Sequence, residues 1–165
     1  MKYPKFKAGE KPGTYIVETP VTAEDILTMA RQLARQRLAK GSPITQLTAA
    51  FQYLQARLRH YEYEVFGVLF LDNKNRVIAF EELFRGTLDA AAVYPREIVK
   101  RALEHSAAAV ILVHNHPSNC AEPSESDKAI TWRIRDALNL LDIQTLDHVI
   151  VGADTCVSLA ERGVI

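Results

Sequence analysis

The sequence predicts an α/β chain in which a mixed β-sheet is flanked by helices, with a helical extension at its N-terminal side. Two runs, "EVFGVLFL" and "AAAVILV", are apolar at almost every position, so their strands need cover on both faces. Between and around them, apolar residues recur at three- and four-residue spacing, the mark of helices with one buried stripe. Turn signals, "DNKN" and "GAD", join neighbouring strand runs. Helices on a sheet with both faces covered follow from that alternation.

Taken in order, residues 1–20 are rich in Lys, Pro and Gly, lack periodicity and read as an extended or loosely ordered arm. Residues 21–60 form a helical segment. "TAEDILTMARQLARQRLAKG" has Thr22 as its cap, Glu24 and Asp25 in its first turn and Gly41 at its end. "SPITQLTAAFQYLQARLRH" has Ser42 as N-cap and Pro43 at the favoured first position. Its Ile44, Leu47, Phe51, Leu54 and Leu58 make one stripe, which serves core packing or pairing with a second copy of the chain. Residues 61–165 hold the main domain. A strand over "YEVFGVLFLD" turns at "DNKN" and returns over "RVIAFEELF". "YPREIVKRALEHS" is a helix with Ile98, Val99 and Leu103 on one side, and "AAAVILVH" is a buried strand. "SESDKAITWRIRDALNLL" is a helix facing inward through Ile130, Ile134, Ala137 and Leu141. "DHVIVG" and "CVSL" close the chain as short strands.

Composition narrows the function classes. With 48% apolar residues among 165, a core forms without staples. No apolar run approaches the ~20 residues of a membrane span, and "MKYPKFKAGEKPG" lacks the apolar core of a secretory signal. Two cysteines, Cys120 and Cys156, are not a disulfide framework, which fits a reducing cytoplasm. Residues 1–60 carry ten Lys/Arg against four Asp/Glu, a charge of +6 balanced by −6 in the remainder. A basic segment of this kind is either a solvated helical face or an attractor for nucleic acid or an acidic partner.

The chemistry concentrates in "HNHPSNCAEPSESD", residues 114–127. His114 and His116 stand at i and i+2, which on an extended chain point to one face. Imidazole nitrogen and carboxylate oxygen both suit zinc at ~2.0–2.2 Å, and Asp127 opens the next helix, so its place is fixed by a rigid element. Two His and one Asp leave a fourth tetrahedral position for water, the pattern of a catalytic site. Plainer roles exist beside this one. Asp127 suits a helix dipole, and Ser124-x-x-Asp127 is close to a capping box. A cap also holds a ligand in place, so the two roles are compatible.

That stretch matches the JAMM, or MPN-type, zinc metalloprotease signature: HxH, seven residues, Ser, two residues, Asp. More specifically the chain resembles the bacterial RadC-like JAB-domain family over about residues 60–165, through "EVFGVLFLDNKNRVI", "FRGTLDAAAVYPREIVKRAL", "AAAVILVHNHPS" and "LDHVIVG". The resemblance implies a JAB/MPN, cytidine deaminase-like architecture. It implies zinc on His114, His116 and Asp127, with Glu64 as general base and the Ser124 hydroxyl as oxyanion donor. Glu62 competes for the base role, but the family register, with an apolar pair directly following, favours Glu64. The reaction implied is hydrolysis of a peptide or isopeptide bond. The chain departs from the pattern where family members commonly have Gly and it has Asn119, a residue that tolerates left-handed backbone angles. Cys120, next to it, is either a soft competitor for the metal or a loop residue turned away.

Other histidines are weighed against this set. "HYE" at 60–62 carries the HxE of zinc deaminases, but the PCxxC they require is missing. His148 is a further ligand or a hydrogen-bonded core residue, with Asp147 as its partner or a turn stabiliser. His105 closes a helix, where a positive charge suits the dipole. Three functions follow. The first is a zinc metallopeptidase acting on a peptide or protein. The second is a DNA-repair accessory protein, as the RadC name implies, although residues 1–60 lack the Gly-containing hairpin of a helix-hairpin-helix module. The third is a catalytically silent module that keeps the metal for stability.

Overall fold

The two all-apolar runs become the central strands of one five-stranded sheet. A computed structural model describes residues 5–11, 14–37, 47–86, 93–118 and 120–165, apart from the side chains of 31, 34–37, 47–50 and 52. The elements are β1 (Phe6–Ala8), β2 (Tyr15–Val17), α1 (Ala23–Arg37), α2 (Leu47–Leu58), β3 (Val65–Leu71), β4 (Val77–Arg85), α3 (Pro95–Glu104), β5 (Ala109–Asn115), α4 (Glu125–Asn139), β6 (Gln144–Val151) and β7 (Cys156–Ser158). The large sheet has the order β4-β3-β5-β6-β7. Only β5 and β6 are parallel, because α4 carries the chain back between them; every other neighbouring pair is antiparallel.

All seven residues of β3 and all seven of β5 are buried, as runs without polar alternation require. On one face Tyr53, Leu54 and Leu58 of α2 pack with Leu69, Ile111, Val113 and Val149. On the other, Ile98 and Ala102 of α3 and Ile134 and Leu138 of α4 pack with Phe66, Val68, Phe70 and Leu112. Leu54 and Leu58 are fully buried in this core, so their stripe serves packing within the chain; truncating either to Ala would cost about 2–5 kcal/mol. Gly67 sits in β3 because a Cβ there would lie 2.8 Å from the Phe80 ring and 3.1 Å from the Glu81 carbonyl. The β3–β4 turn is held by Asp72, whose Oδ1 accepts from the backbone N–H groups of Lys74 and Arg76, and Asn75 takes φ 55°.

Thr22 caps α1 as its spacing predicts, accepting from Asp25 N and donating to the Asp25 carboxylate. Gly41, Ser42, Pro43 and Ile44 lie outside the described residues. Three expectations change. The arm contains a short antiparallel hairpin, β1 with β2, whose six residues show no alternation strong enough to announce strands. In α3 Leu103 is 55% exposed and Ala102 is buried in its place, since Ile98 and Ala102 stand four apart on the face toward the sheet. In α4 the buried face is Asp127, Thr131, Ile134 and Leu138, while Leu141 is exposed and Ile130 only partly buried. The helix is turned by about one residue from its apolar stripe, and that turn brings two polar side chains inward.

Candidate metal centre

Strand β5 ends at the edge of the hydrophobic interior, and the chain then makes one loop before α4 begins. His114 is the penultimate residue of β5 and His116 follows its end, so strand alternation sends both rings to the α3/α4 face. Phe66 stacks on the His114 ring at 5.9 Å with an interplanar angle of 10°, fixing its plane. Asp127 stands in the first turn of α4, where its backbone N–H bonds to Ser124 Oγ at 3.1 Å. Ser124 N–H and O–H both donate to Asp127 Oδ2 at 2.7 Å, which completes a capping box. Oδ1 is left to face His114, 3.1 Å from its Nε2.

The two Nε2 atoms are 2.9 Å apart, and His116 Nε2 is 3.5 Å from Asp127 Oδ2. One ligand atom from each of His114, His116 and Asp127 lies within 4.8 Å of the others. Donors each ~2.0–2.1 Å from a tetrahedral ion stand about 3.3 Å apart, so the three residues are near enough to share a divalent cation once their side chains adjust. The outer atoms are committed elsewhere. His116 Nδ1 donates to the Cys120 carbonyl at 2.7 Å, leaving Nε2 for the ion. Cys120 therefore enters the site through its backbone, and its side chain is outside the donor group among the described residues.

The electrostatics agree with this arrangement. Burial pushes the Asp127 carboxyl up, but its contacts with the His114 and His116 rings and the hydrogen bond from Ser124 outweigh it and hold the group well below the usual carboxylate range. The hydrogen bond to Asp127 raises the His116 pKa against the opposing effect of burial. His148 is fully buried on β6, and burial followed by the charge of His114 keeps its pKa well below the ordinary value. Its ring contacts the site through Nε2, 2.8 Å from His114 Nδ1. Asp147 is not the partner of that ring. It accepts from the His148 backbone N–H, the Ser158 hydroxyl and the Ala160 N–H, tying β6 to the chain after β7. His105 ends α3, as its position implies, and its ring bonds to Glu81.

Glu64 immediately precedes β3. Phe66 pairs with His114 in the antiparallel register, so Glu64 comes alongside His116 and acts on its charge. Glu64 is half-buried, whereas Glu62 is exposed. The peptide groups on either side of Glu64 are held by Asn115: Val65 N–H donates to Asn115 Oδ1 at 2.8 Å, and Asn115 Nδ2 donates to the Tyr63 carbonyl at 3.0 Å. Sequence reasoning did not find Asn115 or Thr131. Strand alternation places Asn115 on the face opposite the two histidines, and Thr131 stands four residues after Asp127 on one helix face, so both carried a readable signal. Asn119 lies outside the described residues.

Comparison with known proteins decides the family. Residues 44–164 match the RadC-like JAB domain. The chain belongs to the RadC-like JAB domain family. This RadC-like chain is 60% identical over 140 residues to a UPF0758 protein of Thioalkalivibrio sulfidiphilus, covering 85% of the chain and 62% of that relative. It is 56% identical over 139 residues to a UPF0758 protein of Nitrosococcus oceani, covering 84% of the chain and 62% of that relative. It is 50% identical over 149 residues to a UPF0758 protein of Vibrio cholerae, covering 90% of the chain and 94% of that relative. The chain thus spans less than two thirds of the length of several relatives it matches. The five-stranded mixed sheet with helices on both faces is the JAB/MPN fold that the resemblance implies. Among the described residues, no helix is long and apolar enough to cross a membrane.

Proposed function

We propose that this RadC-like domain is a zinc-dependent hydrolase of a peptide or isopeptide bond in a protein substrate. The observation that carries the reading is the convergence of His114, His116 and Asp127, with the outer atoms of His116 and Asp127 anchored to Cys120 O and Ser124. A bound zinc supplies a Lewis acid that acidifies water and polarises a carbonyl. Glu64, beside His116, takes the proton of the attacking water and returns it to the leaving amine nitrogen. Asn115 fixes the backbone on both sides of Glu64, so the base is held relative to the two histidines. The Ser124 hydroxyl, now donating to Asp127 Oδ2, turns to the oxyanion of the substrate while Ser124 N–H keeps the carboxylate in place.

The test has two parts. Protein purified without added zinc should carry about one ion per chain by metal analysis, and absence of metal even after zinc addition sinks the reading. Glu64→Gln should keep the ion and lose turnover of a peptide or isopeptide library by ~10²–10⁴-fold. Unchanged turnover removes Glu64 from the role, and a loaded wild type that cleaves nothing favours the silent module. The DNA-binding reading rests on the basic segment, and three of its cations are already paired: Lys5 with Asp25, Lys7 with Glu18 and Arg57 with Glu82. Salt-dependent DNA binding would revive it.

A further inference from the structure

Behind the candidate metal centre runs a chain of buried polar groups that the three donors do not require. His114 Nδ1 lies 2.8 Å from His148 Nε2, and His148 Nδ1 lies 2.5 Å from Thr131 Oγ1. Thr131 Oγ1 in turn donates to the Asp127 carbonyl at 2.5 Å. Thr131 and His148 are fully buried and His114 is 1% exposed, so water does not substitute for any of these partners.

Proton positions follow from the chemistry of each group. A carbonyl has no proton, so the contact between Thr131 Oγ1 and Asp127 O is made with the single hydroxyl proton of Thr131. The hydroxyl therefore faces His148 with a lone pair and accepts from Nδ1–H. A neutral imidazole protonated at Nδ1 is bare at Nε2, so His148 accepts from His114 Nδ1–H. His114 is then bare at Nε2, the atom that faces Asp127. If the relay ran the other way, His148 would donate to His114 Nδ1, and a neutral His114 would carry its proton on the nitrogen the ion needs.

We infer that Thr131 and His148 are positioning residues that select the tautomer of His114, so that Nε2 always presents a lone pair to the metal. The inference rests on the metal-centre reading and deepens it. The commoner outer partner of a ligating histidine is a carboxylate, a backbone carbonyl or water. An imidazole in that place accepts only in one of its two tautomers, which is why a second group, Thr131, is needed to fix it. The origin of the relay is the backbone: Asp127 supplies its carboxylate to the ion and its carbonyl to Thr131, so the ligand at the start of α4 indirectly sets the proton on the ligand at the end of β5. Phe66 closes the pocket, stacking on His114 and meeting His148 edge-on at 5.3 Å.

The experiment uses the full chain. Ring nitrogens of His114 and His148 are read by long-range proton–nitrogen NMR in metal-free and zinc-loaded protein, and zinc affinity is measured against a chromophoric chelator. Both rings should be Nδ1–H in the loaded protein, and His148 should be Nδ1–H in the metal-free protein as well. His148→Leu should weaken zinc binding by ~10–100-fold, the usual cost of an outer-shell partner. His148→Gln, whose amide oxygen still accepts from His114, should restore most of that loss. Thr131→Val should release the His148 tautomer and weaken binding, and Thr131→Ser should recover both. A purely structural role would alter melting temperature without moving the ring protons or being rescued by Gln and Ser. His148 found as Nε2–H in the wild type overturns the inference, as do zinc affinities unchanged in His148→Leu and Thr131→Val. Should those two variants not fold, the wild-type and Thr131→Ser spectra still decide. Should the wild type bind no zinc, the metal-centre reading fails separately, and the metal-free ring protons still judge the relay.

Discussion

The chain builds the same device twice. Thr22-x-x-Asp25 opens α1 and Ser124-x-x-Asp127 opens α4. In each, the hydroxyl and N–H of the first residue donate to one carboxylate oxygen, at 2.8 Å in the former and 2.7 Å in the latter. In each, the aspartate N–H returns a bond to the hydroxyl oxygen, at 3.2 and 3.1 Å. What differs is the group opposite. Asp25 meets Lys5 Nζ at 2.7 Å on the surface. Asp127 meets two imidazoles in a half-buried site. An ammonium has only donors, so the first pair closes on itself as a salt bridge. Imidazoles offer lone pairs, so the second set can hold a cation. The local sequence places a carboxylate, and tertiary context decides what it does.

The comparison breaks most visibly at the aspartates. Asp127→Ala should weaken zinc binding by more than the ~100-fold expected for loss of an outer partner, read by metal analysis and chelator competition. Asp25→Ala should leave metal content unchanged. Equal loss in both would mean that the ion depends on general folding and not on this carboxylate. The caps come next. Ser124→Ala and Thr22→Ala should each cost about 1 kcal/mol in thermal or denaturant unfolding. Only Ser124→Ala should also lower turnover, by ~10²–10³-fold.

Acidity sharpens the contrast. In metal-free protein the Asp127 bond raises the His116 pKa above its usual value, so zinc competes there with a proton. Zinc affinity should be flat above that raised pKa and fall about tenfold per unit as pH drops below it, measured by competition titrations from about pH 8 to pH 5. The smallest effect belongs to Asp25, whose pKa falls from 3.8 to about 2 through Lys5 and then Thr22. A depressed carboxyl stabilises the fold fully above its unfolded pKa and loses that contribution as pH falls through the folded one. Asp25→Asn should therefore flatten the stability profile between about pH 4 and pH 2, followed by circular dichroism.

The donors were legible because fourteen residues carry all three and because the Ser124–Asp127 box is local hydrogen-bond chemistry. The central strands were legible because β3 and β5 are apolar on both faces, a pattern few other structures need. What escaped depends on partners distant in sequence. The sequence leaves His148 as a ligand or a core residue, and its contact with His114 exists only once β6 lies beside β5. The inward face of α4 is hidden from hydropathy because Ile130 and Leu141 are apolar while Asp127 and Thr131 are polar. Hydropathy turned the helix one way, and the hydrogen bonds of the site turn it the other. The β1–β2 hairpin lacked any alternation to read, and Leu103 lost its buried place to the smaller Ala102.

Asn115 between two histidines has a consequence for how narrowly the sheet must be aligned. Successive side chains of β5 project to opposite sides, so one turn of the pleat sends His114 and His116 toward α4 and Asn115 toward the segment holding Glu64. A slip of β5 by a single residue against β3 and β6 would exchange those sides, turning the imidazoles away and the amide inward. Gly67, with no room for a side chain against Phe80, resists any such sliding within the neighbouring ladder. Misaligned pairing would therefore leave every donor present in the chain and none of them able to meet.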